Sequence, residues 1–234
     1  MPMMGFYHGL LAALLVCAAL AAVAAPAADP SPEITEHYTR MMKYHGYMDG
    51  SVPEGAVLFI GDSITQGLCT AAVCDRGVNY GIGSDTTVGV LQRLPEYRSM
   101  DRAWAVVVAI GVNDLRRRDN AALLENYRKI ADAVAGRAPL LFSAVLPLDE
   151  RVKEENRGVN ARIRGLNAGL AALCAERGDC RVVDVFDALL DGEGSLAPEH
   201  HTGDGVHLSD KGYAVWIAAL RGALEALPPR APKG

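Results

Sequence analysis

The feature that most constrains the fold is an alternation between short, nearly continuous apolar runs and stretches with helical spacing. The runs are AVLFIG at 56–61, GVNYGI at 77–82, WAVVVAIG at 104–111, PLLFSAVLPL at 139–148 and RVVDVF at 181–186. Apolar runs without polar alternation are strands covered on both faces. Helical spacing over 86–97, 119–137, 154–177 and 209–227 supplies the covering layers. Asp119 is placed to cap the second of these helices, Gly178 to end the third and Pro228-Pro229 to stop the last. This order predicts an α/β fold, a three-layer α/β/α sandwich around a parallel five-stranded sheet. Residues 33–49 put Ile34, Tyr38, Met41, Met42 and Tyr44 near one face, which predicts a further helix packed on the body.

A chain of 234 residues fits one such domain after an N-terminal extension. Residues 1–28 hold no Asp, Glu, Lys or Arg, and 9–24 read GLLAALLVCAALAAVA. That run suits a secretory signal peptide, with Ala22-Val23-Ala24 as a small-x-small cleavage site. An uncleaved membrane anchor is the alternative, since the span from Phe6 to Ala25 approaches the ~20 residues a crossing needs. The assignment is therefore a signal peptide at 1–24, a Pro-containing linker and N-terminal helix at 25–50, and one domain at 51–230. It implies a secreted or periplasmic protein that touches membrane only if the extension stays attached. A net charge of −5 with no basic block gives no footprint for nucleic acid. Cys17 lies in the extension. The remaining cysteines, 69, 74, 174 and 180, are even in number, as disulfides in an exported protein would require. Each local pair flanks one short loop, so Cys69–Cys74 and Cys174–Cys180 are the expected bridges.

In parallel α/β sheets ligands bind outside the carboxyl ends of the strands. The residues there are GDSIT at 61–65, GSDTT at 83–87, GVNDL at 111–115, LPLDE at 146–150 and the loop 187–208. Neither a P-loop nor a G-x-G-x-x-G pattern is present, so no nucleotide cofactor is implied. Ser63 follows a buried strand and opens a helical stretch, which suits a nucleophile; the same position also suits a helix cap. The G-x-S-x-G elbow is broken by Thr65. Of the five histidines after the extension, His37 and His45 fall in the N-terminal helix, away from any strand end. His207 lies just before the last helix, with Asp204 three residues earlier to orient it. Glu199, His200, His201, Asp204 and His207 would also offer metal ligands, but their spacing matches no standard site and no metal is expected. Asn113, after the strongest strand, has a side-chain amide suited to an oxyanion.

Taken together, GDSI at 61–64, NYGIGSDTT at 79–87, GVND at 111–114 and DGVH at 204–207 resemble the blocks of the SGNH (GDSL) hydrolase family, in order. The resemblance runs from about residue 56 to 227. Its NYGIGSDTT block is similar to the branch that holds the platelet-activating-factor acetylhydrolases and many bacterial esterases. It implies a flavodoxin-like sandwich and a cofactor-free triad, with Ser63 as nucleophile, His207 as base and Asp204 as orienter. It also implies an oxyanion hole from the backbone N–H groups of Ser63 and Ser84 and the Asn113 amide. The family usually has Gly where this chain has Ser84. A backbone N–H survives that exchange, but serine tolerates positive φ poorly.

The expected reaction is two-step acyl transfer from a small-molecule or glycan ester. Short loops after the first three strands leave little material for a lid, which favours short acyl groups such as acetyl, with an O-acetylated glycan as one candidate carrier. Leu115, Leu146, Leu148 and Val206 are candidate pocket walls. A lysophospholipase or acyltransferase would use the same residues. A silent carbohydrate-binding module would use the same fold without a working triad.

Overall fold

The computed structural model describes residues 35–229. The expected signal peptide and linker, and Ile34, fall outside the described residues. Five parallel strands, β1 (Val57–Gly61), β2 (Gly77–Gly81), β3 (Ala105–Ala109), β4 (Leu140–Ser143) and β5 (Cys180–Val183), form one sheet in the order β2-β1-β3-β4-β5. The helices are α1 (Glu36–Asp49), α2 (Ser63–Gln66), α3 (Thr87–Arg93), α4 (Asn120–Val134), α5 (Val159–Arg177) and α6 (Asp210–Glu225). This is the expected three-layer α/β/α sandwich.

Successive strand side chains point to opposite faces, and both faces are buried. Leu58, Ile60, Val106, Val108 and Phe142 meet Val90 of α3, Leu123, Tyr127 and Ile130 of α4, and Ile163 and Leu170 of α5. Val57, Phe59, Val107 and Leu141 point the other way, onto Trp216, Leu220 and Leu224 of α6. Each large apolar side chain buried in this way contributes roughly 1.5–3 kcal/mol, which is why the strands read as continuous apolar runs. The covering helices start where side chains cap them. Asp119 accepts from the Ala122 N–H, and Ser209 from that of Gly212.

β4 and β5 stop three or more residues before their apolar runs end, because side chains take over the backbone hydrogen bonding. After Ser143 the chain leaves the sheet yet stays buried. Asn167 of α5 accepts from Val145 N and donates to Val145 O, both at 2.9 Å, and Asn160 serves Leu148 N and O at 2.9 and 2.8 Å. β5 stops at Val183, and the Asp184 carboxylate then accepts from Phe186 N in a turn. The helix expected from 154 starts only at Val159, after Gly158 in a left-handed conformation.

The buried face of α1 also differs from the apolar one read from the sequence. Tyr38, His45 and Asp49 are buried, whereas Tyr44 is 49% exposed. Polar partners set this register. His45 Nδ1 lies 2.9 Å from the Tyr97 hydroxyl, and Asp49 accepts from the Tyr80 hydroxyl at 2.9 Å and from Ser99 N at 3.1 Å. Burial pushes the His45 imidazole down to about 3, so it packs as a neutral ring.

Cys174 and Cys180 form the expected disulfide, from the end of α5 to the start of β5. The expected Cys69–Cys74 bridge is not formed. Cys69 is exposed beside a single helical turn, Thr70–Ala72, while Cys74 packs partly buried against the α6 side of the core. Among the described residues no helix is long and apolar enough to cross a membrane.

Candidate active site

In this strand order the crevice opens between the carboxyl ends of β1 and β3, where the chain's course reverses. Ser63 follows β1, Ser84 follows β2 and Asn113 follows β3. The loop 203–208 arrives from the α6 side.

Ser63 is the first residue of α2, so its N–H has no partner within the helix. Asp62 caps this turn, accepting from Ile64 N at 2.9 Å. Complete burial pushes the Asp62 carboxyl up to about 7 against that bond, and the carboxylates of Asp85 and Asp114 add to the push. Two side chains fix the turn's carbonyls. Tyr213 donates to Ile64 O at 2.8 Å, and Asn79 donates to Thr65 O at 2.7 Å and Leu68 O at 2.9 Å. Gly81 lets the turn lie directly on β2, since a Cβ there would stand 2.2 Å from Gln66 N.

The Ser63 hydroxyl is 2.9 Å from His207 Nε2, and His207 Nδ1 is 2.5 Å from Asp204 Oδ2. The other Asp204 oxygen accepts from the N–H groups of Val206 and His207, both at 2.9 Å. Partial burial raises the Asp204 carboxyl, but the His207 ring and these two amides outweigh it and hold the group down to about 2. A carboxylate only accepts, so the Nδ1 position carries the proton and Nε2 is free to accept from the serine. A hydroxyl, an imidazole and a carboxylate in this order can move a proton off the oxygen as it attacks an electrophile.

Three donors are carried by the residues that follow β1, β2 and β3. The N–H groups of Ser63 and Ser84 meet no protein acceptor among the described residues. The Asn113 amide uses one of its two hydrogens on Asp85 O, at 2.9 Å, and keeps the other. Ser84 has φ 65°, the one non-glycine residue with positive φ among the described residues. Serine therefore occupies a left-handed position that a glycine would hold without strain.

A buried clamp ties the three loops together. Arg93 donates to Gly61 O at 2.9 Å, to Tyr80 O at 2.7 Å and to Asp85 Oδ2 at 2.8 Å. Its guanidinium thus spans the ends of β1 and β2 and the loop bearing Ser84. Asp114 makes the second tie, accepting from the Thr87 hydroxyl at 2.6 Å, Thr87 N at 3.0 Å and Arg118 at 2.9 Å. Neither tie is marked by a motif; the one signal in the sequence is an arginine in the buried register of α3, three residues after Val90. His37, expected away from any strand end, stands instead at the carboxyl edge, 3.1 Å from Gln66 Oε1, which accepts from Gly83 N at 2.7 Å.

Leu115 and Leu148 are buried in the core beside α4 and α5, and Val206 packs partly buried against that core. Leu146 belongs to the α6 side, where it lines a small cavity with Asp62, Ile64, Val112 and Trp216. The histidines of EHHTGDGVH do not converge. His200 faces Leu189 O at 3.1 Å, His201 faces Asp149 at 3.3 Å, and His207 faces Ser63.

A sequence profile described as the GDSL-like lipase/acylhydrolase family matches residues 59–215, the stretch that carries Ser63, Ser84, Asn113, Asp204 and His207. Platelet-activating factor acetylhydrolase IB subunit alpha1 of Bos taurus is 28% identical over 216 residues, 85% of this chain and 89% of that protein. A solved structure from Streptococcus pneumonia, named for platelet activating factor, superposes with a TM-score of 0.73 at 27% identity, covering 80% of this chain and 92% of that one. A GDSL-like lipase from Bacteroides thetaiotaomicron shares the fold, with a TM-score of 0.70 at 23% identity over 79% of this chain and 97% of that one.

Proposed function

The chain belongs to the GDSL-like lipase/acylhydrolase family and is an ester-hydrolysing enzyme, and from that premise we propose that Ser63, His207 and Asp204 carry acyl transfer from a short carboxylic ester to water. The observation behind this reading is the unbroken relay from Ser63 Oγ to His207 Nε2 at 2.9 Å and from His207 Nδ1 to Asp204 at 2.5 Å. Ser63 attacks the ester carbonyl as His207 takes its proton. Charge then grows on the carbonyl oxygen, which the Ser63 and Ser84 N–H groups and the free Asn113 hydrogen stabilise. His207 returns the proton to the leaving alcohol. Water enters, gives a proton to the same imidazole and releases the acid from Ser63. Asp204, ionised down to about pH 2, keeps the ring in the required tautomer and balances its charge when protonated.

The preferred acyl group is small: the connections that follow β1, β2 and β3 are short and leave little material for a lid, and the bovine relative is itself named an acetylhydrolase. Since Leu115, Leu146 and Leu148 are buried, Val206 is the member of the expected pocket wall best placed to meet substrate. Together with export through residues 1–24, this suggests an extracytoplasmic acetyl ester, such as an O-acetylated glycan. A hydrolysis panel of acetyl to decanoyl p-nitrophenyl esters, acetylated sugars and lysolipids tests it. Turnover concentrated on acetyl esters is expected. Preference for lysolipids or long acyl chains would overturn the substrate assignment.

A further inference from the structure

We propose that His201 is a positioning residue that, held by Asp149, fixes the loop carrying Asp204 and His207. This rests on the catalytic reading above and extends it to residues outside the triad. His201 is buried at 8% exposure. Its Nδ1 lies 3.0 Å from Gly203 N and 3.2 Å from Gly205 N, the two amides that bracket Asp204. Backbone N–H groups only donate, so Nδ1 must present its lone pair. The ring proton then sits on Nε2 and points at Asp149 Oδ2, 3.3 Å away.

Asp149 is equipped to hold that tautomer. Arg151 donates to it from the side chain at 2.8 and 3.1 Å and from its N–H at 3.0 Å, which keeps the carboxyl below its usual range. Arg151 is itself anchored to Asp191 and Glu193, at 2.6 and 2.8 Å. The Asp149 N–H also donates to Gly205 O at 2.9 Å, so residue 149 grips the loop both directly and through the imidazole.

The loop is closed at its neck by pairing of His201 with Leu208 and by Thr202 N donating to His207 O at 2.9 Å. Inside it, His201 takes the amides of 203 and 205, and Asp204 takes those of 206 and 207. Gly203 and Gly205 have φ 102° and 75°, so the backbone reaches a shape that L side chains rarely adopt, and the imidazole fills the concave side. Loss of the Nδ1 acceptor frees two amides that flank the orienting carboxylate. The histidine pair His201–Asp149 thus repeats, for the backbone, the arrangement that His207–Asp204 provides for the proton.

The test compares the full chain with His201→Ala and His201→Asn, each checked by thermal melting. The Asn Oδ1 stands about where Nδ1 stood and can accept from the same amides. With p-nitrophenyl acetate, His201→Ala should lower kcat about 10–100-fold with KM nearly unchanged, the size expected for a displacement near 1 Å. His201→Asn should recover most of that loss. Equal losses in both variants, or no loss in either, would overturn the proposal. A second measurement needs no turnover: a long-range 1H–15N spectrum of the Ser63→Ala chain should show His201 as the Nε2–H tautomer at neutral pH. The Nδ1–H tautomer or an imidazolium would overturn it. A wild type without esterase activity would sink the catalytic reading and the kinetic half of this one, while the spectrum still decides how the loop is held.

Discussion

The Nε2 atom of His207 lies 2.9 Å from the Oγ atom of Ser63, although 144 positions separate them in the chain. The last helix brings this about. α6 buries Trp216 and Leu220 against the sheet, and its Tyr213 reaches across to donate to Ile64 O at 2.8 Å. The turn that starts with Ser63 and the loop that ends at the Ser209 cap are therefore fixed to the same helix. The separation of the hydroxyl and the imidazole is set by core packing, and the loop needs no further movement to bring them into contact.

Asn113→Ala removes one of the three proposed oxyanion donors. It should lower kcat for an acetyl ester by about 10²–10³, with little change in KM. The amide also holds Asp85 O, at 2.9 Å, so a melting curve is needed alongside. An unchanged kcat in a folded variant would mean that the oxyanion is held by other groups.

Ser84→Gly should stabilise the protein. A non-glycine residue at φ 65° carries about 1–2 kcal/mol of strain, offset by the roughly 0.5–1 kcal/mol that glycine loses in chain entropy. The net gain is about 0.5–1 kcal/mol, a rise in Tm of a few degrees. Activity should be retained, because the backbone N–H remains. A lower Tm would show that the Ser84 side chain contributes more than its backbone strain costs.

Asp62→Asn tests a pH dependence whose sign follows from burial. The carboxyl is raised to about 7 in the folded protein, against an unfolded value near 4. The folded state therefore binds the proton more tightly, and this group's contribution declines as pH rises from about 4 to 7. The Asn variant keeps an oxygen for Ile64 N but has no proton to lose. It should match the wild type near pH 4 and exceed it above pH 7, by at most on the order of 4 kcal/mol. Denaturant melts across that range check it, and a difference independent of pH would contradict it.

Arg93→Met breaks a fully buried ion pair with Asp85 and removes the guanidinium hydrogen bonds to the carbonyls of Gly61 and Tyr80. A loss of about 3–5 kcal/mol is expected. Equilibrium unfolding checks it, and a loss below 1 kcal/mol would mean that the clamp contributes little.

The sheet was legible because burial on both faces leaves its mark on the composition of the central strands β1, β3 and β4. Ser63, Asn113, Asp204 and His207 were legible because strand ends say where to look and the motif blocks say which residues matter. The bond from α5 to the 144–148 segment was hidden, since Asn160 and Asn167 look like ordinary polar positions on a helix. Arg93 was hidden because a charged residue in a core register needs partners that only the folded chain supplies. His201 entered only as one of the possible metal ligands of EHHTGDGVH, and the amides that its Nδ1 faces carry no sequence signature. Cys69 and Cys74 were paired on separation alone, but only Cys74 is turned into the core.

The most direct measurement is the rate of p-nitrophenyl acetate hydrolysis by the wild type and by Ser63→Ala at neutral pH, read together with fluorophosphonate labelling of the two proteins. The account predicts turnover and stoichiometric labelling at Ser63 in the wild type, and in the variant no labelling and a fall in kcat of at least about 10³. Hydrolysis by a folded Ser63→Ala at the wild-type rate, or labelling of the wild type at another residue, would contradict it.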